Sequence, residues 1–144
     1  NFFTTCVQKS ITSDFNKNEI DELKSDLVIS NATIEHVGDF NNQIKMCKNI
    51  INLSKKFFVI STPNKYYPLD FHTKIPFIHW LPDKIYRSIL KKMGLNFFSK
   101  EENLNLLSTH HLHKIMKLLN HENYKIQSIN LFFIKSNLIL IGKK

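Results

Sequence analysis

The sequence predicts an α/β fold: parallel strands with flanking helices, ending in a C-terminal antiparallel hairpin. Three observations carry this expectation. Residues 26–30 (DLVIS) and 57–60 (FFVI) are short apolar runs, as expected for strands buried on both faces. Between them Phe40, Ile44, Cys47 and Ile51 recur at helical spacing, with Lys45 and Lys48 interposed. Strand, helix, strand over this length is a βαβ unit, so the two strands should run parallel with a right-handed crossover. Near the end, residues 124–134 and 137–141 read as two more strands, and only Lys135-Ser136 separates them, which predicts a tight hairpin.

The remaining elements follow in chain order. CVQKSITSD, residues 6–14, suits a short strand ending near Asp14, and the polar stretch FNKNEIDELKS comes next. The run 26–30 ends at Ser30-Asn31-Ala32, and Asp39 stands where the N-cap of the following helix belongs. Residues 57–60 close on Ser61-Thr62-Pro63. Then comes STPNKYYPLDFHTKIPFIHWLP, residues 61–82, which holds all four prolines and the single tryptophan. Pro82 and Asp83 open a helix whose apolar face is Ile85, Ile89, Leu90 and Met93, stopped at Gly94. Ser99 with Glu102 reads as a capping box for a short helix over Leu104 and Leu107. Ser108 or Thr109 caps a last helix, with Leu112, Ile115, Met116 and Leu119 inward.

Composition narrows the function classes. At 144 residues the chain is one domain's worth, long enough to bury a core. No apolar run approaches a membrane span, and NFFTTCVQKS lacks the basic-then-apolar order of a signal peptide. The absence of an initiator Met points to a true N-terminus upstream. Cys6 and Cys47 form no CxxC pair and read as reduced cysteines of a cytoplasmic protein. The net charge of +8 suggests nucleic acid or an anionic surface, but Arg87 is the only arginine and the lysines are scattered. Bidentate recognition of phosphate or guanine favours Arg, so nucleic-acid binding is not the expected role. Only Gly38, Gly94 and Gly142 occur, which excludes a glycine-rich phosphate loop within this chain.

Ligands of open α/β sheets lie outside the carboxyl ends of the strands. Those ends carry Asp14-Phe15, then Asn31-Ala32-Thr33-Ile34-Glu35-His36, then Thr62-Pro63-Asn64. A carboxylate, an amide, an imidazole and aromatics therefore gather at one edge, the ingredients of a small-molecule pocket. His110-His111-x-His113 is not expected to bind metal: positions 110 and 113 share a helix face, 111 does not, and no Cys or acid completes a set. No metal site is expected elsewhere.

DLVISNATIEHVGDFNNQ resembles the fourth-strand region of class I S-adenosylmethionine-dependent methyltransferases of the type 11 group. There, a stretch FD-apolar-S-N-A-x-I-E-H-V-G precedes a Gln. Residues 61–82 resemble that group's run of T-P-N, two aromatics, P, an acid, H-T and H-W-L-P, and EENLNLLS and SNLILIGKK resemble its later helix and final strand. The resemblance covers about residues 7–144 and implies a Rossmann-like methyltransferase fold. The first strand with its glycine-rich loop and the second strand are not recognisable here, so the resemblance implies a truncated, C-terminal portion of the domain. Much of the cofactor's cradle would lie outside it.

By position, the resemblance assigns S-adenosylmethionine contacts to Asp14 (adenine amino group), Phe15 (adenine ring), Asn31 and Ala32 (methionine portion) and His36 (methyl-donor end). Methyl transfer is an in-line displacement from a sulfonium and needs alignment in a dry pocket. A base is needed only where the acceptor must lose a proton, and His36 and His72 are the candidates. Residues 61–82 then read as a stiff acceptor-side lid, with Tyr67, His72, His79 and Trp80 facing a small-molecule acceptor and Asp70 where the resembling run often has Glu. The rival functions are a non-catalytic α/β interaction module and a basic nucleic-acid-binding domain.

Overall fold

A computed structural model describes residues 6–144. In chain order it contains α1 (Lys17–Leu23), β1 (Ser25–Asn31), a one-turn 3-10 helix (Ile34–His36), α2 (Phe40–Leu53), β2 (Ser54–Pro63), a second 3-10 turn (Ile78–Trp80), α3 (Asp83–Lys92), α4 (Thr109–Leu118), β3 (Tyr124–Leu131) and β4 (Ile134–Lys143). The four strands form one sheet in the order β1-β2-β4-β3. β1 and β2 are parallel, with Leu27 opposite Phe57 and Asn31 opposite Ser61. β4 runs antiparallel to both β2 and β3, with Ile60 opposite Leu140 and Ile126 opposite Leu140. The predicted α/β architecture with its closing hairpin is therefore present.

One side of the sheet holds the core. Phe58, Ile60, Leu138 and Leu140 pack there against Met46, Cys47 and Ile50 of α2 and Leu112, Ile115 and Met116 of α4, all buried. On α2 the buried stripe is Met46, Cys47 and Ile50, while Phe40, Ile44 and Ile51 pack at its margin, so the helix is turned slightly from the expected face. Asp39 caps α2 as expected, its Oδ1 accepting the Asn42 amide at 2.8 Å. Ser108 caps α4. Both cysteines are free, Cys47 buried and Cys6 exposed, and burial pushes the Cys47 thiol up to about 12.

Several expectations fail for identifiable reasons. β1 and β2 are not buried on both faces: Ile29 is 64% exposed and Phe57 44%, while Phe58 is fully buried. Among the described residues, helices cover one face only. Residues 6–14 form no strand, because no neighbouring strand offers them a ladder. They turn instead, the Ser13 amide donating to the Ser10 carbonyl at 3.0 Å, and Asn49 Nδ2 pins the turn by donating to the Ile11 and Ser13 carbonyls at 2.7 and 2.8 Å. The polar stretch that follows contains α1, opened by an Asn16/Glu19 capping box.

No helix forms at 99–107; successive turns run through residues 96–103 instead. The Ser99 hydroxyl donates backward to the Asn96 carbonyl at 2.8 Å, so it caps nothing downstream. α3 turns Tyr86 and Leu90 inward and leaves Ile85 and Met93 exposed, because Tyr86 has a buried partner in Asp70. The hairpin turns at Phe132-Phe133, both with positive φ, rather than at Lys135-Ser136. Ser136 is held inside the sheet: its carbonyl accepts the Asn64 amide at 2.9 Å and its hydroxyl donates to the Ile129 carbonyl at 3.1 Å. Among the described residues no helix is long and apolar enough to cross a membrane.

Candidate functional site

The carboxyl ends of β1 and β2 lie side by side, because Asn31 pairs with Ser61 and the Ser61 hydroxyl hydrogen-bonds Asn31 Oδ1. At Ala32 the backbone takes φ 49°, a left-handed conformation costing on the order of 1–2 kcal/mol for a residue with a Cβ. That bend turns the chain out of the strand and into the 3-10 turn carrying Glu35 and His36. Gly38 (φ 102°) then redirects it into α2.

The turn is fixed from behind. Gln43 of α2 is buried, and its Nε2 donates to the Ile34 carbonyl at 3.3 Å and to the Asn105 carbonyl at 2.8 Å. The Asn105 amide donates to the Glu35 carbonyl at 2.7 Å, and Asn105 Nδ2 to the Gly38 carbonyl at 3.0 Å. The Gln expected after the SNATIEHVG stretch therefore clamps the turn to Asn105.

Glu35 is fully buried. Its Oε2 accepts from the Thr62 hydroxyl, at the end of β2, at 2.9 Å. Its Oε1 has no hydrogen-bond partner. The two candidate bases meet beside it: His36 and His72 have ring centroids 4.8 Å apart at 78°, with Nε2 atoms 3.1 Å apart. Sequence reasoning named both histidines but missed Glu35, although its position next to His36 on a strand-end turn was the available signal.

His72 is brought there by Asp70, the hub of the 61–82 segment. Asp70 Oδ1 accepts the His72 backbone amide at 3.0 Å and faces His72 Nδ1 at 3.1 Å; Oδ2 accepts from the Thr73 and Tyr86 hydroxyls at 2.7 and 3.0 Å. Burial alone would raise the Asp70 carboxyl, but these hydrogen bonds outweigh it and hold the group at about 2. Burial and the adjacent Asp70 carboxylate push the Tyr86 hydroxyl up.

The other sequence-predicted residues divide. His79 is buried, and its Nε2 lies 2.8 Å from the Tyr67 carbonyl, tying the two ends of the segment together. Tyr67 is also buried and stacks on Phe71 at 5.1 Å. Trp80 is half exposed, edge-on to Phe77 at 5.0 Å. Asp14 is exposed and Phe15 partly buried in the coil before α1, with Lys9 Nζ 4.5 Å from the Phe15 ring centre. His110, His111 and His113 do not gather: His111 caps α4 and His113 meets the Tyr124 hydroxyl at 2.7 Å.

Several known structures share this fold. The magnesium protoporphyrin IX methyltransferase of Synechocystis PCC 6803, with bound SAH, is similar at a TM-score of 0.53 and 14% identity, over 96% of this chain and 49% of that one. A SAM-dependent methyltransferase of Archaeoglobus fulgidus is similar at 0.55 and 15%, over 96% and 66%. The fold is the Rossmann-like methyltransferase fold. A Rhodobacter sphaeroides protein described as a putative zinc-dependent alcohol dehydrogenase is similar at 0.59 and 12%, over 97% and 67%, so the likeness speaks for the fold and not for one chemistry. No family model matches the chain, and no curated protein does. The chain spans about half the length of the Synechocystis protein. In this fold β1 and β2 are the parallel pair whose carboxyl edge carries Glu35 and His36, with His72 in contact with the His36 ring.

Proposed function

We propose that this chain is part of an enzyme that transfers a methyl group from S-adenosylmethionine (SAM) to a small-molecule acceptor. The observation that carries the proposal is the meeting of two distant sequence blocks, SNATIEHV and DFHT, at the carboxyl edge of β1 and β2. That edge is where ligands of open α/β sheets bind. In this reading Asn31 and Ala32 border the methionine portion of SAM, Asp14 accepts from the adenine amino group and Phe15 covers the ring. His36 stands at the methyl-donor end. The acceptor side is the segment folded around Asp70, with His72 and the exposed Trp80 nearest the acceptor and the buried Tyr67 and His79 holding its shape.

Catalysis is by alignment. The acceptor atom attacks the methyl carbon as the sulfonium leaves, a step that needs alignment and a site from which water is excluded. An acceptor that must lose a proton would give it to His36 or His72.

The test is calorimetric titration of SAM into this chain and into the product of the complete reading frame, followed by methyl transfer with the latter. Saturable SAM binding by the longer protein is expected. Absence of binding in both would sink the enzyme reading. Affinity that collapses with salt toward a polyanion would favour nucleic-acid binding instead.

A further inference from the structure

Three potential ligand atoms converge at the carboxyl edge. His36 Nε2 and His72 Nε2 are 3.1 Å apart, and Glu35 Oε1 lies 3.9 Å from the first and 4.0 Å from the second. We propose that Glu35, His36 and His72 form a binding site for a divalent transition-metal ion of the zinc type.

The tautomers follow from geometry. His36 Nδ1 is 2.7 Å from the Asn103 carbonyl, which can only accept, so Nδ1 carries the hydrogen and the neutral ring has a bare Nε2. His72 Nδ1 faces Asp70 Oδ1, a carboxylate oxygen that only accepts, so Nδ1 carries the hydrogen here too and the neutral ring has a bare Nε2. The third atom, Glu35 Oε1, is buried without a partner. With both rings neutral, three lone pairs face one point, an arrangement that a cation between them would stabilise.

The spacing suits a metal. Bonds of about 2.0–2.2 Å at a tetrahedral angle place ligand atoms about 3.3–3.6 Å apart. The observed separations of 3.1, 3.9 and 4.0 Å need only a few tenths of an ångström of adjustment. Two imidazoles and one carboxylate favour borderline ions over Mg²⁺ or Ca²⁺, which prefer oxygen ligands. Each histidine is oriented through its far nitrogen by a carbonyl or carboxylate, as metal-bound histidines are. Three protein ligands leave a coordination position open, which is the pattern of a reactive site and not of a structural one. With metal bound, neither imidazole has a lone pair left to act as a base.

The test needs no catalytic assay. The chelator-stripped chain is titrated with ZnCl₂ by calorimetry and with CoCl₂ by visible absorption, and histidine nitrogen resonances are recorded with and without Zn²⁺. One bound equivalent is expected, with the Nε2 signals of His36 and His72 moving and those of the other five histidines unchanged. His36→Asn with His72→Asn should weaken binding at least about 100-fold, and Asp70→Asn about 10–100-fold. His110→Asn with His113→Asn should leave affinity unchanged. The wild-type spectra decide the matter even if a variant fails to fold. No saturable Zn²⁺ binding, or shifts confined to the other histidines, would overturn the site and leave a shared proton as the cation.

Discussion

Gly142 faces the ring of Phe58, and a Cβ built there would stand 2.0 Å from Phe58 Cζ. Phe58 is fully buried in the centre of β2, so it has no room to withdraw. Gly142 has no positive φ, and the constraint is therefore close approach alone. Gly142→Ala should destabilise the chain by about 1–3 kcal/mol in urea unfolding. Gly142→Ala combined with Phe58→Leu should cost less than the sum of the two single changes, because the smaller side chain vacates the contested space. Additive costs would refute the packing account. In the sequence Gly142 is one glycine of three and carries no turn signature; its role appears only once antiparallel pairing puts Phe58 opposite it. Glu35 was hidden in the same way. Its neighbour His36 was legible as a site residue, but the Thr62 hydroxyl that orients its carboxylate and the Asn105 amide that holds its backbone come from 27 and 70 residues away.

At the scale of elements, α4 shows how a helix start can carry a titration. The Ser108 amide donates to His111 Nδ1 at 3.1 Å, completing a capping box with His111 where Glu or Gln usually stands. The cap needs neutral imidazole. Burial first, then the charge of Lys65 and neighbouring cations, hold the His111 pKa below its ordinary value. The unfolded chain takes up that proton more readily. This contribution to stability is therefore complete above the free-histidine value of about 6.5 and is lost as pH falls below it. His111→Gln keeps a capping side chain that does not titrate. Its unfolding midpoint in urea should match wild type at pH 8 and exceed it at pH 5.5; equal losses for both proteins on acidification would contradict the assignment. α4 and α2 were readable because apolar period and cap agreed. The 96–103 turns and the hairpin were misread because the local signals of Ser99 and Lys135-Ser136 are overridden: the Ser99 hydroxyl bonds back to Asn96, and Ser136 is held by Asn64 and Ile129.

For the molecule as a whole, the governing fact is a sheet with helices on one face among the described residues. Leu27, Ile29, Phe57 and Ile129 project from the other face and are exposed. The net charge of +8 keeps copies apart at low ionic strength. Salt shortens that repulsion, from a reach of about 10 Å at 0.1 M to about 3 Å at 1 M, while leaving apolar attraction intact. Sedimentation velocity should show this chain associating more as NaCl rises, and Ile29→Lys should suppress the effect. A monomer at all salt concentrations would mean the face is covered. This asymmetry escaped sequence reading because the runs 26–30 and 57–60 are continuously apolar, which is the pattern of strands covered on both sides. The pattern records what the strands are suited to, and the described residues supply one layer of cover.

The bare face also bears on the calorimetry of unfolding. Apolar surface that water already wets in the folded state is not newly hydrated when the chain opens, so it adds nothing to the heat-capacity increment. That increment should fall below the 12–15 cal/mol/K per residue typical of globular domains, roughly. The curve of stability against temperature is then flatter, and cooling and warming erode the fold more gently than the chain's length alone would suggest.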